Sequence, residues 1–202
     1  AFVPLNDSCE VNQIKLTNKS SEKKSFTLFS YIEFCLWNAM DDMTNYQRNL
    51  NTGEVEVVDS TIYHKTEYRE RRNHFAVYSV NAPVDGFDTS RDEFLGAYRG
   101  VTDPQVVEEG KSHNSITSGW YPIGSHQINV TLEPGETKSF IFVLGYCENP
   151  KDEKFVAPNV INKKPADVLL AKYQTDEQVD AALAALKANW EDLLSKFTVK
   201  SD

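Results

Sequence analysis

QINVTLEPGETKSFIFVLG, residues Gln127–Gly145, reads as two strands around one tight turn. Gln127–Leu132 alternates polar and apolar side chains, the pattern of a half-buried strand, and Ser139–Gly145 is nearly continuous in apolar residues. Between them, Glu133-Pro134-Gly135-Glu136 puts proline and glycine where a tight connection requires them, so the stretch predicts a β-hairpin.

The same grammar extends outward. Val11–Leu16 alternates, Thr17–Lys24 is a polar turn, and a second strand runs from Ser25 to Trp37; these predict another hairpin, its long strand buried on both faces at its middle. Asn51-Thr52-Gly53 marks a turn before Glu54–Val58, and Thr61–Tyr68 and His74–Val80 are further strands. Many short strands without intervening helices specify a mainly β fold, an antiparallel β-sandwich. Residues Asn81–Tyr121 form a long Gly-, Asp- and Ser-rich connection with an apolar island at Phe94–Tyr98, a length typical of functional or interface loops.

After Cys147 the pattern changes. Glu148–Lys164 reads as a polar linker, Ala166–Tyr173 as a short helix, and Thr175-Asp176-Glu177-Gln178 as a capping box that opens a longer helix. Val179, Leu183, Leu186, Trp190, Leu193, Leu194 and Phe197 recur every three or four residues on one stripe. That stripe either lies back on the sandwich or leads into a helical domain. The division is therefore a sandwich over residues 1–150 and a linker with one or two helices over 151–202.

Composition excludes several functions. With 30 acidic against 21 basic residues and a net charge of −9, the chain lacks the basic footprint of a nucleic-acid partner. No apolar run approaches the roughly 20 residues that span a bilayer, and Ala1-Phe2-Val3-Pro4-Leu5 lacks signal-peptide character. A soluble, cytoplasmic protein is expected, with Cys9, Cys35 and Cys147 reduced. The start at Phe2-Val3-Pro4 reads as the end of a strand, hence an excised piece of something longer.

The chemistry-bearing residues are few. Asp41-Asp42 would point to opposite faces of an extended chain and gain no catalytic role; Cys35 reads as a core thiol. Alternation places Tyr68, Glu70, Arg72 and His74 on one face and Arg69, Arg71 and Asn73 on the other, a charged outer face or arginine-held interface. His64, His74, His113 and His126 lack the spacing of a helical zinc site, so no metal is expected. Gln47-Arg48 offers an amide and a guanidinium, planar donors suited to sugar hydroxyls, against the plainer reading of a surface ion pair. Residue pattern alone leaves three alternatives: part of an enzyme, a free-standing carbohydrate-binding sandwich, or an assembly module docking by its helical stripe.

Three blocks carry a resemblance. Phe29–Ala39, Asp41–Asn49 and Ile62–His74, with Gly110-Lys111-Ser112, Gly119-Trp120 and Val160–Lys164, resemble the cellobiose phosphorylase family of inverting glycoside phosphorylases over essentially the whole chain. The resemblance implies a galactose-mutarotase-like supersandwich followed by the start of a helical linker, with the (α/α)6 barrel that holds the general acid and the phosphate site outside this chain. It implies no catalytic residue here and no cofactor, inorganic phosphate being a co-substrate. It implies a homodimer acting on a β-linked glucose disaccharide and glucose, with Arg48 first and Gln47 second contacting the acceptor sugar. The chain alone is expected to be inactive.

Overall fold

The computed structural model describes residues 1–34, 53–65, 73–119, 121–197 and 199. Among them are twelve strands: β1 (Cys9–Thr17), β2 (Lys24–Phe29), β3 (Ile32–Glu33), β4 (Gly53–Val58), β5 (Thr61–His64), β6 (His74–Val80), β7 (Gly86–Ser90), β8 (Ser118–Gly119), β9 (Pro122–Leu132), β10 (Thr137–Glu148), β11 (Phe155–Ala157) and β12 (Val160–Ile161). The helices are α1 (Arg91–Leu95), α2 (Gln105–Glu109), α3 (Lys164–Leu170) and α4 (Asp176–Ser195), with a 3-10 turn at Ala171–Tyr173.

Two antiparallel sheets face each other. The larger has the order β1-β10-β6-β5-β4-β8, and the smaller is built on β9, flanked by β2 and β3 on its path and by β7. This is the antiparallel sandwich that the strand pattern specifies. Period-two alternation sorts the side chains of β10: Phe140 and Phe142 enter the core between the sheets with Ile62, Tyr78, Val80, Ile128, Val130 and Leu132. Ile141 and Val143 face the opposite way, into a second core with Val11, Phe75 and Val77. Burial on both faces explains why this strand reads as continuously apolar, each large side chain contributing about 1.5–3 kcal/mol.

The two hairpins read from the sequence are not hairpins. β1 pairs with β10 and β2 with β9, so each tight connection carries the chain from one sheet to the other. The two arches lie side by side and are clamped by buried Asn18. Its N–H donates to the Glu136 carbonyl (2.9 Å), its carbonyl accepts from Gly135 N–H (2.9 Å), and its amide donates to the Leu132 carbonyl (3.0 Å). Gly135, at φ 78°, supplies the left-handed residue of the turn. Nor is the middle of the strand read from Ser25 to Trp37 buried on both faces among its described residues: positions 27–34 are all half-buried, β2 ends at Phe29, and pairing resumes at Ile32 after Ser30 bonds to the backbone of His126.

The outer face of the large sheet is covered by the C-terminal elements. Ile161, Ala166, Leu169, Leu170, Tyr173 and Val179 pack onto its second core, and the stretch read as a linker contains the β11–β12 pair. The capping box of α4 forms as read, with Thr175 Oγ1 accepting from Gln178 N–H and Gln178 Oε1 accepting from Thr175 N–H (3.1 Å). Asp176 then pins the helix start, accepting from Ser139 (2.6 Å) and Gln13 (2.8 Å). Beyond Val179 and Ala182 the helix leaves the sheet, and Trp190, Leu193, Leu194 and Phe197 are exposed. None of the helices among the described residues is long and apolar enough to cross a membrane.

Candidate functional site

Gln47 and Arg48 lie outside the described residues, as do Cys35, Asp41-Asp42, Tyr68–Arg72 and Trp120. What the structure gives is where the chain leaves and re-enters the described residues on either side of these segments. Six described residues flank these positions: Phe34, Gly53, Lys65, Asn73, Gly119 and Tyr121. They converge on one end of the sandwich. Gly53 pairs with Gly119 in β4–β8, Lys65 N–H donates to the Glu54 carbonyl (2.8 Å), and the Phe34 ring stacks on His64 at 4.8 Å and 10°. Antiparallel pairing of His64 with Ala76 brings Asn73 to the same end, where its amide donates to the Asn149 carbonyl (2.7 Å). Tyr121 O accepts from Arg91 N–H at 3.2 Å.

The platform is rigid for identifiable reasons. Lys65 is buried, and its ammonium donates to the Asn159 carbonyl (2.7 Å) while lying 3.4 Å from Glu56 and 3.7 Å from Glu54. A buried ammonium needs such partners, since an unpaired charge in the interior is strongly destabilising. Glu56 also accepts from Lys163 and from Ile161 N–H (2.7 Å), which ties β4 to β12. Burial works to raise the Glu56 carboxyl pKa, but the Lys163 ammonium, the Ile161 N–H and Lys65 outweigh it and leave it below the usual carboxylate range.

His64 is fully enclosed. Burial, then the charge of Lys154 and the neighbouring His74, pushes its pKa down to about 3, so it is a neutral aromatic spacer at neutral pH. Neither ring nitrogen has a hydrogen-bond partner among the described residues. Gly53 lies directly against the ring: a Cβ there would stand 2.2 Å from His64 Nε2. Only glycine lets the strand that follows residues 35–52 pass this close.

The remaining sequence candidates separate. His74 and His126 are buried, while His113 bridges Glu93 and Glu109 elsewhere on the surface. Among the described residues no group of three or more His, Cys, Asp and Glu side chains could hold a metal ion. Cys9 and Cys147 are buried, free thiols pushed up to about 11 and about 12, chiefly by burial, and are not nucleophiles at neutral pH. Gly110 is the left-handed cap of α2, and Ser112 N–H donates to Gln127 (2.6 Å), which gives both a structural role. The Lys65–Glu56–Lys163 network is not apparent from sequence spacing, because Glu56 lies in β4, Lys65 just after β5 and Lys163 about a hundred residues further on, before α3; the one signal is a lysine following β5.

The fold is an antiparallel supersandwich with a buried polar network at one end and a helix leaving its large sheet. The chain belongs to the family described as Glycosyl hydrolase 94, supersandwich domain, which matches residues 1–176. It is similar to N,N'-diacetylchitobiose phosphorylase of Vibrio proteolyticus, 31% identical over 204 residues, 99% of this chain and 23% of that protein. The Vibrio furnissii protein of the same name is 29% identical over 206 residues, again 99% of this chain and 23% of the relative. Solabiose phosphorylase of Paenibacillus borealis is 24% identical over 195 residues, 93% of this chain and 25% of the relative. The chain thus spans about a quarter of the length of the curated relatives it matches.

Proposed function

We propose that this chain is the sandwich part of an inverting glycoside phosphorylase that converts cellobiose and phosphate to α-glucose 1-phosphate and glucose. The observation that carries this reading is the family match over residues 1–176 together with phosphorylase relatives aligned along nearly the whole chain. In the proposed reaction a carboxylic acid of an (α/α)6 barrel protonates the glycosidic oxygen. A phosphate oxygen attacks C1 from the opposite face and the C1–O electron pair leaves with the departing glucose. Phosphate replaces the base-activated water of an inverting hydrolase, so a single protein carboxylate suffices.

The sandwich contributes position. Arg48, with Gln47 beside it, reaches the acceptor glucose of the partner's active site in a homodimer, and its fixed guanidinium donors orient the leaving sugar. The rigid platform formed by Phe34, Gly53, His64 and Lys65 supports this role, because an acceptor contact is useful only if the segment that carries it starts and ends on a fixed frame. Residues 151–202 lead toward the barrel, in keeping with the exposed apolar stripe of α4. A cytoplasmic location, in keeping with two free thiols, belongs to the same proposal.

The test uses the full-length phosphorylase. Arg48→Ala is expected to raise KM for glucose in the synthetic direction by roughly tenfold or more, the scale of one lost charge-assisted hydrogen bond, with the circular-dichroism spectrum unchanged. Unchanged kinetics in both directions remove Arg48 from the site. Faster turnover of N,N'-diacetylchitobiose than of cellobiose would replace the proposed substrate.

A further inference from the structure

Residues 91–110 carry a second feature on the outer face of the small sheet. Phe94, Leu95 and Val106 pack with Ile123, so α1 and α2 are fixed on β9. Between the two helices lies a cavity of about 560 Å³, lined by Arg91, Glu93, Leu95, Tyr98, Gln105 and His113 among others. Its volume is that of an ordinary small-ligand site. Arg91 ties it to the platform described above: the guanidinium donates to Glu33 (3.1 Å), one residue before Phe34, and lies 5.8 Å over the Tyr121 ring.

Tyr98 is the informative residue. It sits at φ 62°, a conformation that is an outlier for a bulky residue, and its side chain is fully exposed, at 109%. Neither property comes from a slack loop. Gly96, at φ 83°, presses against Gln105, where a Cβ would meet Oε1 at 2.4 Å. Arg99 pairs with Glu108, and Gly100 N–H donates to Asp103 at 3.1 Å. A strained backbone held firmly so that an aromatic ring stands in solvent points to a ligand rather than to packing.

The lining selects the ligand. Arg91 is balanced by Glu33, Arg99 by Glu108, and His113 stands between Glu93 (3.6 Å) and Glu109 (2.9 Å), so no excess positive charge awaits an anion. Asp92 and Glu93 add acids to the lining, but Glu93 and Glu109 address opposite nitrogens of the imidazole, and among the described residues no group of three or more such side chains could hold a metal ion. Gln105, itself bonded to Glu109 at 2.6 Å, adds an amide. Guanidinium donors, carboxylate acceptors and one amide that does both, beside a flat ring, match a neutral pyranose: its hydroxyls donate and accept, and its axial C–H groups make one face apolar.

We propose that the cavity between α1 and α2, with Tyr98 at its rim, is a second saccharide-binding site that takes one or two neutral pyranose units. The inference stands apart from the assignment of Arg48. The full chain is titrated with glucose, cellobiose and N,N'-diacetylchitobiose while backbone amide shifts are followed by NMR. Saturable shifts at Tyr98, Gln105 and His113 are expected for at least one sugar. Tyr98→Phe should retain binding, and Tyr98→Leu, which keeps an apolar side chain but loses the flat face, should weaken it by at least roughly tenfold, or about 1.4 kcal/mol. Both variants place the change on a fully exposed side chain, and their amide spectra report folding directly. Absence of saturable shifts at these residues with all three sugars overturns the proposal. So does equal binding by Tyr98→Leu and wild type, or a change in sedimentation mass by Tyr98→Leu without a change in sugar binding, which would make Tyr98 a contact between copies.

Discussion

Gly53→Ala tests the platform directly. The added methyl would stand 2.2 Å from His64 Nε2, 3.0 Å from His64 Cδ2 and 3.0 Å from Pro122 Cγ. Gly53 does not have a positive φ, so the cost is steric rather than conformational. The ring cannot swing aside, because it is buried at 3% exposure and stacked on Phe34. Overpacking of a closed core costs roughly 1–3 kcal/mol, and the fixed ring puts this case near 3 kcal/mol. With a urea dependence of roughly 2–3 kcal/mol per M, the unfolding midpoint should fall by about 1 M. His64→Ala alone should destabilise by roughly 2–3 kcal/mol through its cavity. In that background Gly53→Ala should cost less than about 1 kcal/mol, a coupling near 2 kcal/mol. Additive effects in the double mutant would refute the close approach of Gly53 to His64 as the reason for glycine at this position.

Two further outcomes follow from the same structure. His64 and His126 have pKa values depressed to about 3 and about 4, chiefly by burial, so folding favours their neutral forms. Their contribution is complete above the unfolded value of about 6.5 and is lost as pH falls from there toward the folded values; each should remove about 2 kcal/mol by pH 5. His64→Phe, which keeps a ring against Phe34, should therefore cut the acid slope of stability between about pH 6.5 and 5 by roughly half, as read from urea midpoints across pH; an unchanged slope counts against a neutral buried His64. At the other end, Val179→Ala should cost about 2 kcal/mol because Val179 is 1% exposed, whereas Trp190→Ser with Leu194→Ser should stay within about 0.5 kcal/mol per site. Equal losses by thermal melting would mean that the far end of α4 is packed.

The pairing of strands shows where reading a sequence succeeds and where it stops. Alternation in Gln127–Leu132 and double-sided apolarity in Phe140–Val143 are properties of each strand's own burial, and both are legible. Whether a tight Pro-Gly turn closes a hairpin or carries the chain between sheets depends on which neighbours bond to each strand. β1 and β2, about a hundred residues or more away in the chain, take those positions, and Asn18, in a turn of ordinary polar composition, fixes the choice through two backbone bonds and one from its side-chain amide. The candidate site obeys the same limit. Gln47-Arg48 is readable as a planar donor pair because its chemistry resides in adjacent residues. The platform at the end of the sandwich is distributed over Phe34, Gly53, Glu56, His64, Lys65 and Lys163, and no window of sequence contains that juxtaposition. Glycine at position 53 reads as a turn residue in sequence, yet its physical reason is the imidazole pressed against it, a constraint imposed by a neighbouring strand rather than by the local backbone.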